Sequence, residues 1–308
     1  MPLQLTPLPA DRFHGWQAAA RRRIVARNQE SGMRVGADAV AYADLLLSET
    51  LAAPSSTILR IDDDGRELGT VWLAVAGRKL FLLDLATDAA LSGAQDDALL
   101  AAVADVAREG GATRITAGLH PQDAAAHALI RGRGFALASI QMVLDPLPVR
   151  AERASVVVAP MTDERFAAYA ATSEIAFAQD LVGSGRYAPE EAAIQARRQF
   201  AAELPDGLDT AGQELFTASV DGVEVGVLWI GLRERGGRPH AFVLDIEVAE
   251  DQRRRGYGRA LMLRAESEAR RLGAGSIGLH VFGFNAGAIE LYEQLGYRRT
   301  EETWLLDL

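Results

Sequence analysis

Two groups of residues in the last third of the chain have the types and spacing to do chemistry. The first is the run Arg253-Arg254-Arg255-Gly256-Tyr257-Gly258-Arg259. Glycines at a turn let backbone N–H groups face a ligand without Cβ clashes. Such groups, together with a helix start, favour an anion. Four arginines surround this turn in a chain of net charge −10, and they could pair with phosphate oxygens. The second group is Asp245 and Glu247. They stand two apart in a strand-like run, so both side chains face one side. A carboxylate pair there suits a proton acceptor, with Glu247 the leading candidate, and a group that holds a cationic amine. The plainer alternative is a solvated strand charge or an arginine partner. For the loop alone, the plainer alternative is a helix start with a solvated arginine face.

Other polar residues point less clearly to chemistry. His280 lies within a later strand and could accept a proton. His240 follows Gly236-Gly237-Arg238-Pro239 and reads as a turn residue. His14, His120 and His127 show no ligand spacing, and the chain has no cysteine. No His-Glu-x-x-His, Walker loop or Gly-x-Ser-x-Gly occurs, so no metal site and no nucleophilic serine are expected. A dinucleotide fingerprint would need a third glycine where Leu261 stands.

The elements that must position these residues occur twice. Asp64-Gly65-Arg66-Glu67-Leu68-Gly69-Thr70-Val71-Trp72 reads like Asp221-Gly222-Val223-Glu224-Val225-Gly226-Val227-Leu228-Trp229, each with a hairpin signal. Leu83-Asp84-Leu85-Ala86-Thr87 matches Leu244-Asp245-Ile246-Glu247-Val248. The stretch from Asp123 to Gly134-Phe135 matches that from Asn285 to Gly296-Tyr297. Three matches in one order indicate duplication. The predicted domains are 1–149 and 150–308, joined by the proline-broken, linker-like Asp145-Pro146-Leu147-Pro148-Val149-Arg150. Each half predicts a short strand, two helices (11–27 and 37–51; 163–181 and 189–203), a hairpin and a buried strand (81–85; 241–248). A helix (94–109; 258–272), a strand (113–117; 276–281), a short helix and a last strand follow. Strands alternating with helices predict an α/β fold with a mixed sheet and helices on its faces.

At this point the second half resembles the GNAT superfamily of N-acetyltransferases. Arg253-Arg254-Arg255-Gly256-Tyr257-Gly258 fits its loop pattern, and Asn285, Leu291-Tyr292 and Gly296-Tyr297 fit its later motif. The resemblance covers residues 156–308. Leu279-His280-Val281-Phe282-Gly283-Phe284-Asn285 is similar to a bacterial branch of that family. The resemblance implies two tandem domains, each a splayed mixed β-sheet flanked by helices. It implies acetyl-CoA as co-substrate, in a cleft between the central strands. Backbone groups near Ile246 and Val248 would hold the pantetheine, residues 254–259 the pyrophosphate, and Asn285 would lie near the pantetheine arm. Tyr292 would be the acid that protonates the leaving thiolate. Backbone N–H groups at the strand end could supply the oxyanion donors.

Read against this, the first half lacks the site. Ala86 stands for Glu247, Ile130 for Tyr292 and Asp123 for Asn285. Its loop, Leu91-Ser92-Gly93-Ala94-Gln95-Asp96-Asp97, carries two acids and no arginine, and acids repel phosphate. The first half is expected to be structural, completing the acceptor pocket or replacing a dimer partner, so that the chain could act as a monomeric internal pseudo-dimer. The tandem architecture is similar to that of mycothiol synthases, although residues 279–285 depart from that branch.

Composition bounds the rest. A pI near 5.1 argues against nucleic acid as a partner. No apolar run is long enough to span a bilayer. The start, Met1 to Pro7, shows no leader pattern, so a cytoplasmic location is expected. The leading reading is acyl transfer to a small-molecule amine. The alternatives are a non-catalytic acyl-CoA sensor and a nucleotide-binding oxidoreductase.

Overall fold

A computed structural model describes residues 3–151 and 156–308. Met1 and Pro2, the first two residues of the Met1 to Pro7 stretch on which the leader reading rests, lie outside the described residues, as do residues 152–155. The chain forms two compact units, Met1–Ile140 with Arg299–Leu308, and Gln141–Arg298. Both are mixed α/β. No described helix is long and apolar enough to cross a membrane.

The first unit contains β1 (Gln4–Pro7), α1 (Phe13–Ser31), α2 (Ala37–Leu51), β2 (Ser56–Asp63), β3 (Arg66–Ala76) and β4 (Lys79–Thr87). α3 (Gly93–Glu109), β5 (Arg114–Leu119), α4 (Ala124–Ile130) and most of β6 (Ala136–Leu144) follow. α1 begins two residues later than its sequence pattern indicated and runs on to Ser31. It stops where Gly32 takes a left-handed φ of 75°, a position glycine fills without Cβ strain. β1 to β4 pair antiparallel and β4 with β5 in parallel. Alternation along β3 sends Val71 and Leu73 to a core under α3, and Trp72 to a core with Trp16, Ile24 and Leu47 of α1 and α2.

The second unit contains β7 (Val157–Pro160), α5 (Asp163–Gly183), α6 (Pro189–Glu203), β8 (Gln213–Val220) and β9 (Val223–Arg235). β10 (Arg238–Val248), α7 (Tyr257–Arg271), β11 (Ser276–Phe282) and α8 (Ala286–Gln294) complete it. The last strand, β12 (Arg298–Asp307), runs almost wholly in the first unit and pairs antiparallel with β5, from Glu302↔Leu119 to Asp307↔Arg114.

The repeated residues do the same work in both units. Asp64 and Gly65 have φ of 49° and 79°, and Asp221 and Gly222 have 51° and 79°. Two successive positive φ values make the two-residue hairpin turn that matches strand twist. Trp72 donates to Ser56 Oγ at 2.8 Å and Trp229 to Gln213 Oε1 at 2.7 Å, so each indole crosses to the neighbouring strand. A Cβ on Gly226 would lie 2.2 Å from the Glu247 carbonyl oxygen, and one on Gly69 would lie 2.1 Å from that of Ala86. The glycine therefore lets β9 approach the segment of β10 that carries Glu247. Gly226→Ala is expected to cost about 1–3 kcal/mol through this overlap. A lower urea midpoint would show it, and an unchanged midpoint would mean that β10 yields freely.

The joint at 145–150 is not a free linker. Asp145 pairs with Arg235 at 2.9 Å, Leu147 N–H donates to Gly275 O at 3.0 Å, and Arg270 donates to Pro148 O. Arg150 donates to Leu295 O at 2.6 Å and pairs with buried Glu266. Proline-rich composition signalled a break in regular structure, but these contacts tie the segment into the second unit.

Candidate active site

β10 and β11 pair in parallel only from His240↔Ser276 to Val243↔Leu279, although both strands continue. A register shift against β9 between Val243 and Asp245 bends β10 at the same place. Beyond it lies a cleft of about 1060 Å³. Asp245, Ile246, Glu247 and Val248 line it from β10. Arg253, Arg254, Gly256, Tyr257, Gly258 and Arg259 line it from the loop and first turn of α7. Asn285 and Tyr292 line it from α8 and its start. Of the loop, strand and α8 residues picked out by sequence, Arg255 does not line this cleft. It is exposed, and its guanidinium donates to Asp251 O at 3.4 Å.

The loop is built to present backbone donors. Arg254 and Gly256 both have positive φ, 63° and 84°. Gly256 is the N-cap of α7 and supplies no capping side chain. The first N–H groups of a helix have no partner within it, so those of α7 are left for an anion at the cleft. Arg253 Nε donates to Val248 O at 3.2 Å, which ties the loop to the end of β10. Leu261, Ala265 and Ala269 are fully buried and anchor α7. An uncapped helix start with Arg253, Arg254 and Arg259 around it fits a pyrophosphate.

Opposite the loop the cleft is acidic. Asp245 Oδ2 accepts a hydrogen bond from the buried Tyr169 hydroxyl of α5 at 2.7 Å. Burial pushes the Asp245 carboxyl up to about 6. The Tyr169 hydrogen bond pulls the other way, while Glu247 and Asp180 add to the rise. Asp180, also on α5, is raised by burial and by Glu247. Glu247 is exposed on the cleft wall. Neither Tyr169 nor Asp180 was identified from sequence. Tyr169, Ser173, Phe177 and Asp180 stand at intervals of four, four and three, so one helical face was visible. The strand opposite it was not.

Tyr292 is buried, and burial followed by the charge of Asp245 pushes its phenol up to about 12. Among the described residues no hydrogen bond engages its hydroxyl. Asn285 Oδ1 accepts from Ala288 N–H at 3.2 Å and so caps α8. His280 does not line the cleft. Arg186 lies 3.3 Å from its Nε2, and burial with that guanidinium pushes the imidazole down to about 4. His240 is a buried strand residue rather than a turn residue, with Nδ1 2.7 Å from Ser276 Oγ.

The first unit shows the same splay, with β4 and β5 pairing only from Lys79↔Arg114 to Leu82↔Ala117. Its cleft is about 270 Å³. Asp84, which matches Asp245, is buried and ion-paired to Arg23 at 2.5 Å and Arg27 at 3.2 Å, both from α1. The start of α3 is closed by its own side chains. Ser92 Oγ accepts from Gln95 N–H at 3.3 Å, and Gln95 Oε1 accepts from Ser92 N–H at 2.9 Å. This capping box satisfies donors that α7 leaves open. Asp97 pairs with Arg133 at 2.6 Å.

Residues 175–297 match the model of the Acetyltransferase (GNAT) family. YycN of Bacillus subtilis (strain 168), an uncharacterised N-acetyltransferase, is 30% identical over 148 residues, 48% of this chain and 95% of that protein. A mycothiol acetyltransferase of Propionibacterium freudenreichii subsp. shermanii is 32% identical over 109 residues, 35% of each chain. A GCN5-related N-acetyltransferase from Sphaerobacter thermophilus, of known structure, aligns over 99% of this chain and 98% of its own, at 18% identity and a TM-score of 0.49. With a relative at this identity covered almost end to end, and with the cleft, loop and tyrosine in one unit, the chain belongs to the GNAT family and is an N-acetyltransferase.

Proposed function

We propose that the second unit transfers an acetyl group directly from acetyl-CoA to a small-molecule amine. The observation that supports this most is that one cleft holds an uncapped, arginine-flanked helix start, a group of carboxylates and a buried phenol. The pyrophosphate would lie on the Gly256–Arg259 turn. The pantetheine would run along the edge of β10 near Ile246 and Val248, where that strand has left β11. Asn285 would flank that arm.

The amine arrives as an ammonium and must lose a proton before attack. Asp245, at about 6, is the better matched acceptor, because a base works best with a pKa near the working pH. Glu247, on the same face of β10, holds the ammonium while it loses that proton. The nitrogen then bonds to the thioester carbonyl carbon, and the oxyanion takes backbone N–H donors at the end of β10. The C–S bond breaks as the nitrogen gives up its second proton, and the sulfur gains one. Tyr292, at about 12, is protonated throughout the working range before transfer; it gives its proton to the departing thiolate, and the second proton from the nitrogen restores the phenol. The proton taken by Asp245 goes to solvent, and the products are the amide and free CoA.

Tyr292→Phe is expected to lower kcat by about 10²-fold, the usual cost of losing one donor to developing charge. The acetyl-CoA Kd should stay within about threefold, because the phenol acts on a charge absent from the ground state. Stopped-time assays and calorimetry separate the two. Unchanged kcat would remove Tyr292 from the mechanism. The second reading is an acyl-CoA sensor without turnover, and tight acetyl-CoA binding with no transfer across an amine panel would favour it.

A further inference from the structure

The two ends of the cleft differ in charge. Its lining cations are Arg253, Arg254 and Arg259, all on the phosphate side. The walls from α5, α6 and β10 contribute carboxylates and no arginine or lysine. Glu174 is held by Arg197 at 3.2 Å, and Glu203 by Arg233. Among the described residues, no arginine or lysine forms an ion pair with Asp180, Asp245 or Glu247. Arg165, on which the charge of Glu247 acts, is committed to Glu224 at 2.7 Å. Three carboxylates that repel one another are one more than a base and an ammonium anchor require.

Aromatic rings lie at the Asp180 end. Phe282 and Phe284 stack at 5.5 Å with planes 6° apart, and Phe177 lies 6.4 Å from Phe282. Phe284 is 55% exposed, an unusual state for a large apolar ring. Its ring sits 3.5 Å from where a Cβ of Gly183 would be, one turn of α5 beyond Asp180. The buried Tyr292 hydroxyl lies in the same cleft without a protein partner among the described residues. Rings beside a carboxylate suit a methylene chain ending in a cation, since ring faces attract ammonium groups. An acceptor bearing a carboxylate or phosphate would meet only like charge on these walls.

Resting on the acetyl-transfer reading above, we propose that the acceptor is a linear diamine or oligoamine. One amine is acetylated beside Asp245 and Glu247. The distal ammonium is held by Asp180, beside the rings of Phe177, Phe282 and Phe284.

The test uses the full chain, acetyl-CoA and four probes: cadaverine, spermidine, n-pentylamine and δ-aminovalerate. Cadaverine or spermidine is expected to exceed pentylamine in kcat/KM by about tenfold, the scale of one charged hydrogen bond, with aminovalerate lowest. Asp180→Asn should shrink the diamine-to-monoamine ratio about tenfold, chiefly through the diamine KM, and Asp180→Glu should restore much of it. Transfer in which pentylamine matches both polyamines, or a ratio unmoved by Asp180→Asn, overturns the second cation and leaves the transferase reading standing. Transfer to none of the four, with acetyl-CoA bound, overturns both.

Discussion

Asp245→Asn is expected to lower kcat/KM by about 10²–10⁴-fold above pH 7, the range for loss of a positioned base, and to make the protein more stable. Both effects follow from one environment. Burial beside Tyr169, Glu247 and Asp180 lifts this carboxyl from its ordinary value to about 6. The wild-type rate should therefore fall as pH drops through about 6, where the base becomes protonated. The stability effect has a definite sign. The folded state binds this proton more tightly than the unfolded chain does, so ionisation of Asp245 disfavours folding. That cost grows as pH rises from about 4 to about 6 and is constant above. Asparagine still accepts from Tyr169 and carries no charge. A gain on the order of 2 kcal/mol is expected at neutral pH, after allowance for solvent in the cleft, and it should vanish below about pH 4. Urea unfolding across this pH range and pH-rate profiles of both proteins check it. If Glu247→Gln, rather than Asp245→Asn, abolishes the acid limb, the two carboxylates exchange roles.

Gly256→Asp is expected to weaken acetyl-CoA binding by at least about 10²-fold in calorimetry. The substitution puts a side chain where φ is 84°, a conformation that L residues rarely adopt. It also places a carboxylate at the helix start, where it can cap the N–H groups that the pyrophosphate needs and repel the phosphates themselves. α7 need not suffer, because aspartate is a good N-cap, so circular dichroism should stay close to wild type. Gly93→Asp, at the already capped start of α3, should leave acetyl-CoA binding alone. Equal losses at the two positions would refute a division of labour between the units.

What could be read from sequence was whatever a local pattern encodes. The Asp-Gly turns, the paired tryptophans, the glycine that follows each turn and the arginine-glycine loop each concern a few neighbouring residues. What escaped was partnership across distance. Arg23 and Arg27 stand four apart on one face of α1, but nothing nearby shows that they meet Asp84, 61 and 57 residues away. Tyr169 finds Asp245 across 76 residues, and Arg270 finds Pro148 across 122. Ser92 and Gln95 are different. Their spacing is a capping signature, and it closes the start of α3 more directly than the neighbouring aspartates do.

The placement of β12 has a consequence for synthesis. Arg114 of β5 pairs with Asp307, 193 positions further along the chain. At ribosomal rates of about 5–20 residues per second, tens of seconds separate the emergence of these two strands. Throughout that interval β5 has a bare edge on the side β12 will cover, and exposed edges invite pairing with other chains. Conditions that slow translation late in the message should therefore raise aggregation of the nascent protein, even when every residue of the first unit has already been made.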